Sequence, residues 1–172
     1  MQTTITSITA LSELEIGSFH CGDYDLDVFF HNYALENEEE NISRTFVLLT
    51  KKERQIVGYF TLSCGGLLEK ELGSNKKYPK YQLPMVRLGR LAIAPQYQKK
   101  GFGRRILLHI FQTVLDVSKK VAILGIFVDA KEKSVSYYQQ FNFTILPVMN
   151  IQKGLVPMFL SLKTLEKAQQ KA

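Results

Sequence analysis

Two glycines separated by one residue mark the segment of this 172-residue sequence that is best suited to chemistry. Gly101 and Gly103 follow a strand-like run that ends at Pro95, and they precede an amphipathic helix. Glycine permits backbone conformations and close approaches that a β-carbon would block. Successive N–H groups can then converge at the positive end of the helix dipole. The spacing therefore predicts an anion cradle suited to a pyrophosphate.

Two familiar phosphate-binding loops do not fit this segment. A Walker loop ends in Gly-Lys-Ser/Thr, whereas Gly103 is followed by Arg104 and Arg105. A dinucleotide fingerprint needs a third glycine, an acidic residue on the next strand and an N-terminal βαβ unit. On spacing alone, an ordinary strand-to-helix turn is an equally good interpretation of the two glycines.

The distribution of charge supports an anionic ligand. The chain carries a net charge of +6, and no acidic residue occurs between positions 72 and 115. A stretch of this kind attracts a polyanion, either the phosphates of a cofactor or an RNA backbone, although a solvated basic face without a partner is the alternative. Its basic residues are Lys76, Lys77, Lys80, Arg87, Arg90, Lys99, Lys100, Arg104 and Arg105.

The glycines lie within an alternation of helix-like and strand-like segments. Apolar residues at helical spacing predict a helix from Asp23, with the glutamates of 36–40 on its wet side, and a second helix after Gly103. The order predicts the α/β (α+β) class, with a mixed central sheet flanked by helices in one domain over residues 1–172. Strands are predicted at 44–50, 55–63, 85–94, 121–128, 143–147 and 156–162, a short helix at 132–140, and a frayed polar end from Leu165.

Composition narrows the other possibilities. Cys21 and Cys64 are too few for a disulfide framework and are expected to be reduced structural thiols, and no Cys/His cluster has zinc spacing, so no metal is expected. No apolar run approaches the length of a membrane span, and the N-terminus lacks the features of a signal peptide. We therefore expect a cytoplasmic protein with no membrane partner.

Two motifs resemble the GNAT acetyltransferase superfamily. The segment from Gln98 to Gly103, Gln-Lys-Lys-Gly-Phe-Gly, resembles the family's Gln/Arg-x-x-Gly-x-Gly/Ala signature, which stands between the central strand and the cofactor-binding helix. The segment from Tyr138 to Phe143 resembles the family's Tyr-x-x-x-Gly-Phe at the end of its last helix. Asn142 replaces the usual glycine, and Asn is the next most tolerant residue of a left-handed turn.

Nearly the whole chain is similar to one branch of that superfamily, the GNAT toxins of toxin–antitoxin pairs that acetylate aminoacyl-tRNA. This resemblance implies acetyl-CoA as co-substrate, the α-amine of an amino acid esterified to tRNA as acceptor, and a small ribbon-helix-helix protein as antitoxin. We also expect a homodimer. The matching stretches are 19–22 with Leu26, 29–30, 43–47, 58–63, 87–93 and 128–131.

The resemblance also implies the site residues. Backbone N–H groups at the end of the central strand would pair with the pantetheine arm and polarise the thioester carbonyl, and the loop amides would take the pyrophosphate. Tyr138 would be the general acid, because an unperturbed phenol is protonated at neutral pH and can donate to the departing sulfur. Packing in the core is the alternative for Tyr138. The implied cofactor-binding residues are Leu91, Ala92, Ile93, Gln98, Lys99, Lys100, Gly101, Phe102, Gly103 and Arg104.

Other polar residues have weaker assignments. No residue stands out as a general base; the α-amine of an aminoacyl ester is already substantially neutral near pH 7, so water is sufficient. His20, His31 and His109 have no pairing pattern and are expected to be structural, as is Tyr137. For Arg44, packing or a salt bridge is at least as good an interpretation as acceptor contact. The residues assigned to tRNA contact are Lys76, Lys77, Lys80, Arg87 and Arg90.

Two other functions remain compatible with the sequence. A GNAT enzyme that acts on a small amine or a protein N-terminus would need the same loop and the same Tyr138. A GNAT fold that has lost its chemistry and binds a nucleic acid or protein is a third hypothesis, but the intact loop and Tyr138 argue against it. The acid-free stretch and the motifs of the toxin branch favour tRNA over a small amine.

Overall fold

The computed structural model describes residues 1–73, 76–147 and 154–169. Residues 74–75 of the predicted loop and 170–172 of the predicted tail lie outside this part. The strands are β1 (Thr3–Ser7), β2 (Arg44–Thr50), β3 (Ile56–Leu67), β4 (Leu83–Ile93), β5 (Gly125–Lys131), β6 (Thr144–Ile145) and β7 (Leu155–Ser161). The helices are α1 (Glu13–Gly17), α2 (Tyr24–Asn32), α3 (Ala34–Glu39), α4 (Glu69–Leu72), α5 (Phe102–Ser118), α6 (Val135–Gln139) and α7 (Leu162–Gln169).

The strands form one mixed sheet in the order β1-β2-β3-β4-β5-β7-β6. Antiparallel pairing joins β1 to β2, β2 to β3, β5 to β7 and β7 to β6. The pairing of β4 with β5 is parallel, which requires a crossover, and α5 lies in the connection between these two strands. The prediction of an α+β protein with a mixed sheet flanked by helices is confirmed.

Two compact units divide the chain. The first consists of Met1–Ser63 and Gly89–Ile110, and the second of Cys64–Leu88 and Phe111–Ala172. Three elements, β3, β4 and α5, contribute residues to both units. The β4–α5 connection that carries the two glycines belongs to the first unit, and α6 belongs to the second.

Aromatic packing dominates the core of the first unit. The predicted apolar stripe buries Phe29, Phe30 and Ala34, and the Phe30 ring lies 4.6 Å from the Tyr59 ring on β3. Aromatic pairs of this kind contribute about 0.5–1.5 kcal/mol beyond the area that they bury. The Tyr59 hydroxyl donates to the Leu26 carbonyl at 2.8 Å, so its polar end is satisfied inside the core. This packing holds α2 against the sheet.

The second unit has its own apolar cluster. Leu83 and Met85 of β4 pack with Phe127 of β5, and each is less than a tenth exposed. Partly buried apolar side chains surround these three. They are Leu67, Leu72, Tyr78, Leu124 and Phe159.

Several elements differ from the sequence predictions. The helix predicted from Asp23 is divided at Tyr33, whose φ and ψ of −126° and −21° separate α2 from α3. The strand predicted at 121–128 begins only at Gly125, because the chain is still turning at Val121, whose N–H donates to the Val117 carbonyl. The predicted polar tail is the helix α7, and β1, α1 and α4 were not predicted.

A left-handed residue ends the turn that follows α6. Asn142 has φ of +64°, so it adopts the conformation expected of the residue that replaces glycine in the second motif. The N–H groups of Phe141 and Phe143 both donate to the Tyr138 carbonyl, at 3.0 and 3.3 Å. These bonds satisfy a carbonyl that the end of the helix leaves without an intrahelical partner.

We predict that Asn142→Gly raises the free energy of unfolding by up to about 1 kcal/mol, because glycine adopts this φ without the steric penalty of a β-carbon. The same replacement at Asn37, inside α3, should lower it by a few tenths of a kcal/mol, because glycine is the poorer helix former. Urea denaturation of the two variants measures both changes. Destabilisation by Asn142→Gly would show that the Asn side chain itself stabilises the turn.

Candidate active site

The connection from β4 to α5 contains two residues in the left-handed region. Lys99 has φ of +57° and Gly101 has φ of +85°. A β-carbon built on Gly101 would meet no other atom within 4 Å, so the space beside this backbone is open. Glycine is therefore required at position 101 for its conformation, and a group from outside can approach the bare backbone there.

The first amides of α5 are available to such a group. The first hydrogen bond of the helix runs from the Arg105 N–H to the Gly101 carbonyl, at 3.1 Å. The N–H groups of Gly101, Phe102, Gly103 and Arg104 therefore precede the helical ladder and have no intrahelical acceptor. They lie at the positive end of the helix dipole. This arrangement fits a phosphate or pyrophosphate, as the glycine spacing predicts.

Basic side chains surround these amides. Lys99, Lys100 and Arg104 are exposed, as is the backbone of Gly101. Arg105 is exposed too, and its guanidinium donates to the Thr3 carbonyl at 3.1 Å. The charges therefore reinforce the dipole of α5 at the place where an anion would bind.

Gln98 holds the two ends of the connection together. Its Nε2 donates to the Ile93 carbonyl at the end of β4, at 2.9 Å, and to the Cys21 carbonyl, at 3.4 Å. Gln98 is one of the predicted cofactor-binding residues, and its side chain holds the loop in place by bonding two backbone carbonyls. The sequence motif gives the identity of this residue but not its hydrogen-bond partners.

The last residues of β4 extend beyond its ladder with β5. That parallel ladder pairs Val86 with Ile126 and Arg87 with Phe127, and β4 continues for six more residues to Ile93. Ala92 is buried, while Leu91 and Ile93 are half-buried. Backbone groups of β4 at 91–93 lie beyond the last pair of this ladder, and extended backbone of this kind can pair with another extended chain.

Tyr138 lies on α6 in the second unit. Its side chain is 6% exposed, and its ring is 5.4 Å from the rings of both Tyr137 and Phe143. Burial, and to a smaller extent the neighbouring Tyr137, raises the pKa of Tyr138 above the usual phenol value. The phenol is therefore protonated throughout the neutral range and can act as a hydrogen-bond donor.

The adjacent Tyr137 carries a feature that sequence reasoning missed. Its hydroxyl is buried and has no hydrogen-bond partner in the described part of the chain. Burial raises the pKa of Tyr137 to about 12. Its ring lies 5.3 Å from that of Phe141, which agrees with the packing function predicted for it. No local pattern in the sequence could show that this hydroxyl lacks a partner.

The five residues assigned to tRNA have different environments. Lys76, Lys77 and Lys80 are exposed in the second unit, where the Lys76 ammonium lies 4.7 Å from the centre of the Tyr78 ring. Arg87 is also exposed and forms a salt bridge with Asp129 at 2.9 Å. Arg90 is half-buried, and its guanidinium lies over the Phe29 ring at 3.5 Å. Four of the five residues are therefore exposed, and Arg90 is the least accessible to a polyanion.

Arg44 and His20 have carboxylate partners. Arg44 donates to Glu38 at 3.0 Å, which confirms the salt-bridge alternative for this residue. The Nδ1 atom of His20 lies 2.5 Å from Asp27, although no pairing was predicted for the histidines. Asp27 is on α2, and its contact with the preceding turn depends on tertiary structure that spacing alone does not show.

Neither a metal site nor a membrane span occurs in residues 1–73, 76–147 and 154–169. There, no group of three or more His, Cys, Asp or Glu side chains could hold a metal ion. No helix in this part is long and apolar enough to cross a membrane.

The fold and the loop agree with a family match. Residues 18–161 match the Acetyltransferase (GNAT) domain family, so the chain belongs to the GNAT acetyltransferases. This match covers most of both compact units. It confirms the predicted N-acetyltransferase class and acetyl-CoA as the co-substrate.

Three relatives are informative. A tRNA-acetylating toxin of Mycobacterium tuberculosis is 26% identical over 135 residues, which is 77% of this chain and 80% of the relative. The structure of AtaT complexed with acetyl-methionyl-tRNAfMet is 29% identical, with a TM-score of 0.86 over 98% of this chain and 99% of that one. A tyrosine-to-phenylalanine mutant of AtaT, bound to the C-terminus of the antitoxin AtaR and to acetyl-CoA, is 26% identical, with a TM-score of 0.77 over 97% and 98%. The chain is therefore similar to tRNA-acetylating toxins throughout.

We predict that Tyr137→Phe raises the free energy of unfolding by about 1 kcal/mol, since a buried hydroxyl without a partner costs about 1–3 kcal/mol. Chemical denaturation of the native protein and the variant measures the difference. A clear loss of stability in the Phe variant would mean that the hydroxyl has a partner that stabilises the fold.

Proposed function

We propose that this acetyltransferase is a toxin that acetylates the α-amine of aminoacyl-tRNA and thereby blocks translation. The observation that carries the proposal is the loop at Gly101, where bare backbone, free amides and exposed cations meet at the start of α5. Two similar proteins support the acceptor: the tRNA-acetylating toxin, and AtaT with its acetyl-methionyl-tRNA.

We further propose that acetyl-CoA binds along β4 and the loop. The N–H groups of residues 101–104 would hold the pyrophosphate, and Lys99, Lys100 and Arg104 would add positive charge. The end of β4, at Leu91, Ala92 and Ile93, would pair with the pantetheine arm. Gln98 would fix the loop, and Phe102 would stabilise the start of the helix through its ring contact with Tyr97, at 5.8 Å. When bound, acetyl-CoA supplies the activated acetyl group.

Tyr138 is proposed as the group that donates to the departing sulfur. A free thiol has a pKa near 8.5 and a free phenol near 10, so complete transfer of the phenol proton to a thiolate is already uphill. The raised pKa of Tyr138 increases that difference. Tyr138 would therefore keep its proton and stabilise the sulfur by a hydrogen bond as negative charge develops, so that coenzyme A leaves as the thiolate.

A dedicated general base is not required for this acceptor. A free α-amino group has a pKa of about 7.7–8.0, so a useful fraction is neutral near pH 7. Water can accept the proton that the amine loses when the new bond forms. Acetylation of a lysine side chain, with a pKa near 10.4, would need much more help.

Partners and organisation follow from the same proposal. AtaT is bound by the C-terminus of its antitoxin, and we propose that a small ribbon-helix-helix antitoxin binds this chain in the same manner. We also propose a homodimer, a cytoplasmic location shared with the tRNA substrate, and one GNAT domain over residues 1–172. The alternative substrate is a small amine or a protein N-terminus, for which the loop and Tyr138 would serve equally well.

The proposed function is tested by incubating the protein with acetyl-CoA and charged tRNA, then hydrolysing the ester and identifying the amino acid by mass spectrometry. We expect N-acetylated amino acids from at least one aminoacyl-tRNA. Their absence, together with ready acetylation of a polyamine or a peptide N-terminus, would refute the toxin proposal and support the alternative substrate.

We predict that Tyr138→Phe lowers turnover by about 10²- to 10⁴-fold and leaves acetyl-CoA affinity unchanged, because only the donor hydroxyl is removed. Tyr137→Phe is the matched control and should retain full turnover. In the native enzyme, turnover should rise with pH as the amine loses its proton. No fall due to Tyr138 should occur below about pH 10, since burial raises the pKa of this phenol. Near-normal turnover of the Tyr138 variant would leave that residue with a packing function only.

We predict that charge removal at Lys76, Lys77 and Lys80 weakens tRNA binding and leaves acetyl-CoA affinity unchanged. Binding of the native protein to tRNA should also weaken steeply with salt, since each neutralised phosphate releases counterions. Charge removal at Lys51 and Lys52, exposed in the β2–β3 turn, changes the net charge by the same amount as charge removal at Lys77 and Lys80 and is the matched control for that double variant. Equal losses in the two sets of variants would exclude a specific contact by the three lysines.

A further inference from the structure

A chain of hydrogen bonds in the first unit connects α2 to the cofactor loop. The Asp27 carboxylate on α2 accepts the Cys21 N–H at 2.8 Å through Oδ1. The Cys21 carbonyl then accepts from Gln98 Nε2 at 3.4 Å, and the same nitrogen donates to Ile93 at the end of β4. The side chain of Asp27 thus reaches the loop through one intervening residue, although 71 positions separate it from Gln98 in the sequence.

The Asp27 carboxylate is committed to the turn that precedes α2. It is only 7% exposed, and its second oxygen lies 2.5 Å from His20 Nδ1. A buried carboxylate is tolerated only where such partners compensate for the loss of water. The Cys21 N–H is therefore anchored by a hydrogen bond to this carboxylate, and the His20 ring lies against its other oxygen. This hydrogen bond fixes the backbone of Cys21 and so directs the Cys21 carbonyl toward Gln98 in the loop.

The other side of the turn faces the β4–α5 connection. The position that a β-carbon of Gly22 would take lies 3.8 Å from Pro95 Cγ. Gln98 has two amide hydrogens, and the Cys21 and Ile93 carbonyls accept one each. Without the Cys21 carbonyl in place, one donor loses its partner and the Gln98 side chain is less constrained. The residue that opens the cofactor loop would then have more than one conformation.

We propose that Asp27 is a positioning residue for the acetyl-CoA loop, acting through Cys21 and Gln98 to keep the loop in the conformation that receives the pyrophosphate. This inference rests on the proposed cofactor site. Asp27 acts on the loop before the ligand arrives. Its loss should therefore raise the KM for acetyl-CoA and leave kcat at saturating acetyl-CoA nearly unchanged.

A double-mutant cycle tests the connection. Asp27→Ala and Gln98→Ala are made singly and together, and acetyl-CoA affinity is measured by calorimetry on variants that retain the fold by circular dichroism. Each single change should weaken acetyl-CoA affinity by about tenfold. If the double variant loses no more than that, the coupling is also about tenfold, which is within the usual range for residues in one network. Because both changes break the same chain of bonds, the double variant should bind no more weakly than the weaker single variant. Additive losses would overturn the proposal.

Two further variants separate positioning from general stability. Glu38 is also a buried carboxylate of the first unit that accepts a backbone N–H, from Thr45 at 2.6 Å, and pairs with a basic side chain. Glu38→Ala should therefore cost stability and leave acetyl-CoA affinity unchanged. Asp27→Asn keeps an acceptor for the Cys21 N–H and should restore most of the affinity; it also replaces the Ala variant if that does not fold. Equal losses from Glu38→Ala and Asp27→Ala, or full affinity in a folded Asp27→Ala, would overturn the proposal.

Failure of this inference can be distinguished from failure of the cofactor site. If Gln98→Ala weakens acetyl-CoA binding and Asp27→Ala does not, the loop binds the cofactor and only the connection to α2 is wrong. If neither change has an effect, and bulk introduced at Gly101 has none either, the pyrophosphate binds elsewhere and both proposals fail.

Discussion

The chain turns from β4 into α5 at Gly101, whose left-handed conformation leaves the first N–H groups of the helix available to a ligand. A residue with a β-carbon would be strained there and would fill the open space beside the backbone. Because the helical ladder begins only at Arg105, the four N–H groups before it have no intrahelical acceptor and lie at the positive end of the dipole. A bound anion would provide the hydrogen-bond acceptors that these N–H groups lack within the helix. The exposed cations around the loop act in the same direction.

Two other sets of local hydrogen bonds, one at Gln98 and one at the turn after α6, position the remaining parts of the proposed site. Gln98 closes the connection by bonding the carbonyls of Ile93 and Cys21, so the loop is fixed by the backbone of two other elements. In the second unit, the turn at Asn142 returns two N–H groups to the Tyr138 carbonyl and holds that residue at the end of α6. Burial keeps its phenol protonated. Cofactor binding by the loop and hydrogen-bond donation by Tyr138 can therefore be altered separately by substitution.

Local periodicity accounts for what the sequence predicts correctly. The bounds of β2 agree with the predicted strand, and the glycine motif places the start of α5, because these features depend on neighbouring residues. The edge strand β1 escapes prediction, since four of its five residues are Thr or Ser and provide little apolar contrast. Cys21, one of the two partners of Gln98, lies 77 residues from it, and Asp129 lies 42 residues from Arg87. The pairing of His20 with Asp27 requires the turn before α2. Such contacts are set by tertiary packing. The similarity to tRNA-acetylating toxins was visible in short motifs, but the salt bridge of Arg87 and the ring contact of Arg90 were not.

The most direct measurement compares acetyl-CoA binding by Gly101→Val and Gly154→Val using calorimetry. Gly154 has φ of +82° and, like Gly101, no atom within 4 Å of the position of a β-carbon, so both changes impose a similar backbone strain. If the bare backbone at Gly101 receives the pyrophosphate, Gly101→Val should abolish binding in a folded protein while Gly154→Val binds normally. Unchanged affinity in a folded Gly101→Val variant, or equal losses in the two variants, would contradict the assignment of this loop to the cofactor.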